Sequence, residues 1–310
     1  MKRGSAWFGG IRLLSLLCAA LTLASGNAAV ASGTIAKGAS YLGQKPPGEK
    51  PERFAPEILS SLPFLGCIAF SPRGDECFVT VCDANYTTQK LMTTRYVDGA
   101  WTAPELAGFS AEFEKAGEPF FTADGKRLYF AALAKGSRTG KDLWSVDRVG
   151  RGWGSPTRLP APFNSDANEF HFLRVPDGTT YFGSNRTGSP QVYRARPARE
   201  DAPKVELVPA PVLSVGTYEG DACVAPDGRF MVFYSGRAGG FGAVDLYVCF
   251  PDGKGEWTTP VNLGADFNTA DDEYGAWLSP DGKYLFFVRH SRQSSDLHWV
   301  SIGAIEKFRR

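Results

Sequence analysis

One short motif recurs five times along the chain at almost equal intervals. It reads Ser-Pro-Asp-Gly or a close variant, and its copies end at Gly74, Gly125, Gly178, Gly228 and Gly282. Successive glycines are 51, 53, 50 and 54 residues apart. Each copy lies between two apolar runs and predicts a hairpin turn, because Pro fixes φ, Asp binds its own backbone and Gly adopts a positive φ. A period of this length indicates a repeat architecture.

A complete repeat carries the signals of four strands. Short runs of Val, Tyr, Phe and Trp are bounded by Gly, Pro and Asp, which is typical of β-strands. Five such repeats predict an all-β fold, a five-bladed β-propeller with four antiparallel strands per blade. The fifth repeat lacks its outer strand, and residues 54–59 resemble the outer strand of the first repeat at 102–106. We therefore predict that this N-terminal strand joins the last blade and closes the propeller domain, residues 53–310.

The N-terminus has the pattern of a secretory signal peptide. Basic residues precede the apolar run from Leu13 to Leu23, and an Ala-x-Ala sequence ends at Ala31, so we predict a signal peptide over 1–31 and export to the periplasm or outside. The Gly- and Pro-rich residues 32–52 predict a flexible segment. The leader carries three basic residues and no acids, so the 34 Lys and Arg fall to 31 against 33 Asp and Glu. Nearly equal numbers of basic and acidic residues, with no cluster of basic residues along the sequence, argue against nucleic acid as a partner.

Three segments carry a family resemblance. They are Pro-Asp-Gly-Lys-Tyr-Leu-Phe-Phe at 280–287, Ser-Gly-Arg-Ala-Gly-Gly at 235–240 and Asp-Leu-Tyr-Val at 245–248. Over roughly residues 53–303 the chain resembles the TolB-like family of WD-like β-propeller repeats. The resemblance implies a periplasmic or secreted protein, since the family occurs there as binding scaffolds and as domains attached to peptidases or peptidoglycan-binding modules. The first repeat departs from the pattern, since Arg73 stands where most copies have Asp.

Two columns of residues near the start of the inner strands are the candidates for a functional site. Nine residues before the turn glycine, three repeats have Glu169, Glu219 and Glu273. Two residues further on, the five repeats have Cys67, Glu118, His171, Asp221 and Gly275. Because alternate residues of a strand share a face, we expect both columns to point the same way.

The two columns predict different roles. An acid that recurs at equivalent positions favours a structural role, so Glu169, Glu219 and Glu273 are predicted to accept backbone N–H bonds or to pair with arginines between blades. The arginines available after the second strand of the third, fourth and fifth repeats are Arg186, Arg237 and Arg289. Glu118, His171 and Asp221 differ between repeats, as a ligand site on a symmetric scaffold requires. We predict that these three line one channel opening and bind a ligand.

Other side chains with metal-binding or redox chemistry give weaker signals. The Asx-rich segments 164–169 and 268–273 contain many side-chain oxygen atoms, which are the ligands that calcium prefers. Such loops, however, commonly use these oxygen atoms to bind their own backbone in turns. The histidines have no zinc-ligand spacing and no Cys-x-x-Cys occurs, so no metal site and no cofactor is expected. Cys67 and Cys77 flank the first turn, which leaves a disulfide and two buried thiols as alternatives. The tryptophans Trp101, Trp153 and Trp257 have fixed places in the outer strands, which favours packing over sugar stacking.

No signature of a nucleophile, a phosphate loop or a dinucleotide site occurs in the sequence. We therefore expect a monomeric, non-catalytic binding scaffold for a protein or an envelope component, and not an integral membrane protein. The alternative is a carbohydrate-active enzyme of glycosidase type that uses carboxylates at the channel mouth.

Overall fold

The chain folds into antiparallel sheets, as the sequence predicts. A computed structural model describes residues 40–197, 203–209, 212–213 and 218–309. The expected signal peptide, residues 1–31, lies outside these ranges. Within them the protein has 22 strands, two α-helices of four residues each and two short 3₁₀ turns. None of the described helices has the length and apolar character needed to cross a bilayer.

The strands fall into groups that follow the sequence repeats. The chain begins with a 3₁₀ turn (Ser40–Gly43), β1 (Glu52–Arg53) and α1 (Pro56–Leu59). The first repeat contains β2 (Phe64–Phe70), β3 (Glu76–Cys82), β4 (Gln89–Val97), β5 (Ala100–Trp101) and β6 (Glu105–Leu106). The second contains a 3₁₀ turn (Gly108–Glu112), β7 (Phe113–Phe121), β8 (Arg127–Ala134), β9 (Asp142–Val149), β10 (Gly152–Trp153) and β11 (Thr157–Arg158).

The remaining strands form three four-stranded sheets. The third sheet contains β12 (Glu169–Arg174), β13 (Thr180–Ser184), β14 (Gln191–Arg196) and β15 (Lys204–Leu207). The fourth contains β16 (Glu219–Val224), β17 (Met231–Ser235), β18 (Asp245–Cys249) and β19 (Val261–Asn262). The last contains β20 (Asp272–Leu278), β21 (Tyr284–His290), β22 (Ser295–Ser301) and β1, and α2 (Gly303–Glu306) follows it. The first two repeats share one sheet, because Gln89 of β4 pairs in parallel with Lys115 of β7.

The recurring motif forms the predicted hairpin turns. In all five copies the glycine has a positive φ, between 65° and 90°. Its N–H donates to the carbonyl oxygen three residues earlier at 2.8–2.9 Å. The local chemistry of the motif thus sets the connection between the first two strands of every repeat.

The N-terminal strand pairs with the last strand, but it is not where the sequence placed it. Glu52 and Arg53 pair with Trp299 and His298 of β22, whereas the predicted strand over 54–59 is wrong for most of its length. Ala55 adopts a left-handed conformation and Pro56 begins α1, because Pro is favoured in the first turn of a helix and cannot donate to a strand ladder.

Part of residues 40–52, the described part of the segment expected to be flexible, packs against the sheets. Tyr41 and Leu42 are each 5% exposed. The Tyr41 hydroxyl donates to Asp281 Oδ1 at 2.8 Å, and its ring lies 5.5 Å from Trp299 and 5.7 Å from Phe70. Tyr41 and Leu42 thus anchor the start of this segment, whereas most of residues 43–50 are exposed.

The last sheet also packs against the first. Phe54 lies between Phe70 of β2 and Phe286 of β21, with ring centroids 6.0 and 5.0 Å away. Phe70 and Phe286 are themselves 5.7 Å apart. These rings belong to one buried apolar cluster that joins both ends of the described chain.

Candidate functional site

The inner strand of every repeat is interrupted by a bulge at the same position. The register shifts lie between Leu65 and Ile68, Gly117 and Phe120, Phe170 and Leu173, Gly220 and Cys223, and Tyr274 and Trp277. Each interval contains the residue of the second sequence column. We call Cys67, Glu118, His171, Asp221 and Gly275 the bulge residues. Bulges redirect side chains and are frequent beside functional sites.

Four of the bulge residues have a left-handed backbone. The φ angles are 58° at Glu118, 48° at His171, 50° at Asp221 and 66° at Gly275. This region is costly for residues other than glycine. It also breaks the simple alternation of strand side chains, so the expectation that both columns point the same way is wrong. Glu118 and Asp221 line a cavity that none of the three glutamates lines.

The redirected side chains connect neighbouring repeats at the centre of the molecule. Glu118 Oε2 accepts the backbone N–H of His171 at 2.6 Å. Asp221 Oδ2 accepts the backbone N–H of Gly275 at 2.9 Å. The backbone N–H of Glu118 donates to Thr80 Oγ1 of the first repeat at 3.0 Å. Each carboxylate therefore satisfies an N–H that the next bulge leaves without a ladder partner.

Burial perturbs the ionisation of these groups. His171 is 1% exposed and lies 4.6 Å from the Trp277 ring, and desolvation lowers its pKa to about 4. Burial, followed by the charge of Glu118, raises the pKa of Asp221 to about 7. Burial alone would raise the pKa of Glu118, but Lys141 and the His171 N–H outweigh it and lower that pKa. At neutral pH the centre thus contains an ionised Glu118 and a neutral His171.

Glu118 and Asp221 face a large cavity at the start of the inner strands. This upper cavity has a volume of about 710 Å³, and Cys67 and Lys141 also line it. Lys141 Nζ donates to Glu118 Oε1 at 3.1 Å. His171 lines a different, lower cavity of about 150 Å³, which lies beside the hairpin turns. The prediction that all three residues line one opening is therefore wrong for His171, whose ring lies deeper than the two carboxylates.

The wall of the upper cavity contains an aromatic cluster that the sequence did not reveal. The Tyr86 hydroxyl lies 3.1 Å from His290 Nδ1 and also contacts the Tyr274 hydroxyl. Lys115 Nζ donates to the Tyr86 carbonyl oxygen at 2.8 Å, and Tyr234 completes the aromatic lining. Burial lowers the pKa of His290. Tyr274 directly precedes the bulge residue Gly275, which is the one sequence signal that could have placed it here.

The glutamate column occupies separate, fully buried positions. Glu169, Glu219 and Glu273 are each 0% exposed and pair with Arg186, Arg237 and Arg289 at 3.2, 3.1 and 2.9 Å. Each arginine lies in, or two residues after, the strand that pairs with the strand of its glutamate. The pairs therefore form within one repeat, and the predicted pairing between blades is wrong. A neighbouring hydroxyl adds a further bond to each glutamate, from Ser184, Ser235 and Thr269. A stabilising role for these three acids remains a prediction.

The Asx-rich segments cap their own strands. Asn164 Oδ1 accepts the N–H of Leu143 at 2.7 Å, and Asn268 Oδ1 accepts the N–H of Leu246 at 2.8 Å. The two asparagines of the segments that suggested calcium therefore have backbone partners. The five cysteines of the described part are free and buried, including Cys67 and Cys77.

Trp153 packs on Phe78 of the preceding repeat, with ring centroids 5.8 Å apart, as expected for a packing role.

Solved structures share this fold at low sequence identity. Putative TolB from Agrobacterium tumefaciens is 15% identical with a TM-score of 0.52, and the match covers 78% of each chain. TolB from Acinetobacter baumannii is 17% identical with a TM-score of 0.48, over 76% of this chain and 54% of that one. An α-L-arabinanase from Penicillium chrysogenum is 14% identical with a TM-score of 0.45, over 82% of this chain and 77% of that one.

The comparison with the Agrobacterium protein shows a TolB-like β-propeller fold. The chain spans about half the length of the Acinetobacter protein. No protein-family model matches the sequence, and no curated protein is similar to it. The fold is therefore assigned, and the function has to be argued from the site itself.

Proposed function

We propose that the chain is an exported, non-catalytic binding protein with five propeller blades, and that a protein or another envelope component binds at the upper cavity. Five hairpin turns and five equivalent bulges support the blade count. Pairing of β1 with β22 supports closure between the last blade and the first. A Cβ on Gly275 would lie 3.2 Å from Cys67 Sγ, so the fifth bulge is adjacent to the first.

The lining of the upper cavity carries this proposal. A space of about 710 Å³ has the size of pockets that accept a small ligand or the end of a chain. Tyr86, Tyr234 and Tyr274 offer apolar rings with polar hydroxyls, and Lys115 and His290 add donors. Tyrosine is enriched at binding surfaces because it contributes contact area and a hydrogen bond at small entropic cost.

The bonding of the carboxylates favours binding over glycoside hydrolysis. A glycosidase needs one carboxyl group as acid and a second as nucleophile or base. Both oxygens of Glu118 have partners, Lys141 and the His171 N–H. Asp221 holds the Gly275 N–H, and the glutamate column pairs with arginines outside this cavity. These bonds suit carboxylates that fix the geometry of the cavity.

The proposal is tested by binding of variants that differ only in which cavity they alter. The wild-type full chain is the reference. The variants His290→Ala and Lys115→Ala alter the upper cavity, and Arg174→Ala alters the lower cavity. With a ligand purified from envelope extracts, we expect His290→Ala and Lys115→Ala to bind more than about tenfold more weakly than the wild type. This corresponds to a loss of about 1.4 kcal/mol in binding free energy. Arg174→Ala should bind like the wild type. Equal binding by all variants, or a loss confined to Arg174→Ala, would contradict the proposal.

The same preparation distinguishes binding from catalysis. We expect no hydrolysis of aryl glycosides or arabino-oligosaccharides above a blank. Turnover that disappears in Asp221→Asn would instead establish the carbohydrate-active alternative.

Export and the oligomeric state are separate parts of the proposal. The leader sequence predicts a mature N-terminus between residues 27 and 32, which N-terminal sequencing of envelope protein would locate. Light scattering of the purified chain should give the mass of a monomer. A full-length cytosolic product would contradict export without affecting the binding proposal.

A further inference from the structure

Three buried side chains with different ligand chemistry meet at the centre of the propeller. The ligand atoms of Cys67, His171 and Asp221 all lie within 4.8 Å of one another. They come from the bulges of the first, third and fourth repeats, which explains why the sequence shows no metal-ligand spacing. Cys67 Sγ belongs to a free thiol, and Asp221 Oδ1 is the carboxylate oxygen that does not accept the Gly275 N–H.

His171 supplies an independent observation. The side chain is 1% exposed, yet neither ring nitrogen has a hydrogen-bond partner of good geometry. The nearest carboxylate oxygen to Nδ1 is Asp221 Oδ1, at 3.5 Å. Buried polar atoms are nearly always satisfied, and leaving one without a partner costs about 1–3 kcal/mol. The imidazole therefore lies beside a thiol and a carboxylate and, apart from a contact with the Ala222 backbone, makes no hydrogen bond of good geometry.

We propose that Cys67, His171 and Asp221 bind a divalent transition-metal ion, with zinc the best match. Sulfur, imidazole nitrogen and carboxylate oxygen are the three ligand types of zinc sites, whereas calcium and magnesium take oxygen ligands. With bonds of about 2.0–2.2 Å, tetrahedral zinc separates its nitrogen and oxygen ligands by about 3.4 Å. The observed 3.5 Å between His171 Nδ1 and Asp221 Oδ1 matches this separation.

The surroundings give this ion an entry route and a free coordination position. Cys67 and Asp221 line the upper cavity, so an ion can reach them from that side. Three protein ligands leave a fourth tetrahedral position, and zinc sites with such a position bind water or a ligand atom. The fourth position would be filled from the upper cavity. This metal site is independent of the proposed binding function, since the cavity can accept a ligand with or without the ion.

Metal titration of the full chain tests the inference. Protein stripped with a chelator is titrated with Co²⁺ and Zn²⁺ against a competing indicator, and elemental analysis gives the stoichiometry. We expect one ion per chain and, with Co²⁺, a sulfur-to-metal charge-transfer absorption. Loss of outer-sphere partners alone costs metal sites about 10–100-fold in affinity, so Cys67→Ala and His171→Gln should weaken binding by more than about 100-fold.

Cys223→Ala is the matched control, because Cys223 is also a buried thiol of an inner strand but lies outside the cluster. It should bind the ion as the wild type does and keep the charge-transfer absorption. Circular dichroism checks that each variant is folded. If His171→Gln does not fold, the comparison of Cys67→Ala with Cys223→Ala still decides. Stoichiometric binding that survives Cys67→Ala, or no binding by the wild type, would overturn the proposal.

Discussion

Replacing Arg186 by Met should destabilise the protein strongly, because it leaves a buried carboxylate without its cation. Glu169 is 0% exposed. Arg186 donates to Glu169 Oε1 at 3.2 Å and to the carbonyl oxygens of Pro162 and Phe163 at 3.0 and 2.6 Å. Removing one partner of a buried ion pair costs about 3–5 kcal/mol. We expect the free energy of unfolding to fall by that amount, measured by urea denaturation with tryptophan fluorescence.

The chain offers a matched control at its surface. Arg127 pairs with Asp147 at 2.6 Å, but the two side chains are 45% and 61% exposed. Exposed pairs contribute about 0–1 kcal/mol, so Arg127→Met should cost less than about 1 kcal/mol. The double variant Glu169→Gln/Arg186→Met removes the uncompensated charge and should be more stable than Arg186→Met alone. The reasoning is refuted if Arg186→Met costs no more than Arg127→Met, or if the double variant is the least stable of the set.

Three further substitutions test other parts of the structure. Burial lowers the pKa of His298 to about 4, below its unfolded value of about 6.5, so the unfolded chain binds the proton first and stability falls as the pH drops between those values. This linkage is worth about 2 kcal/mol between pH 7 and 5, and His298→Phe should reduce the difference between urea midpoints at the two pH values; an unchanged difference would count against it. Gly275→Ala places a Cβ 3.0 Å from Val288 Cγ2 at a φ of 66° and should cost about 1–3 kcal/mol, so an unaltered melting temperature would be the wrong outcome. Tyr41→Ala should cost about 3 kcal/mol, because the ring packs on Trp299 and Phe70; a melting curve equal to that of the wild type would mean that the N-terminal segment does not support the fold.

The elements that sequence predicts well are those encoded by local chemistry. The hairpin turns follow from Pro, Asp and Gly in consecutive positions, and the structure has a positive φ at every turn glycine. The N-terminal strand was placed two residues too late, because similarity between 54–59 and 102–106 concealed the effect of Pro56 on the backbone.

The geometry of the site was harder to predict, because it depends on contacts between distant repeats. A left-handed backbone is uncommon for residues other than glycine, although Asp221 and His171 are of types that adopt it more often than Glu118. Gly275 in the same column was the clearest local signal, since glycine adopts a positive φ readily. The contacts among Tyr86, Tyr274 and His290 join residues about 200 positions apart in sequence, and no strand pattern encodes them.

Photocrosslinking tests the central claim, that a partner binds at the upper cavity, most directly. A photoreactive amino acid would replace Tyr274 at the upper cavity in one variant and Arg174 at the lower cavity in another, each expressed as the full chain and irradiated in intact cells. We expect a crosslinked product from the Tyr274 position and none from the Arg174 position. Crosslinking from Arg174 alone, or from neither position, would contradict it.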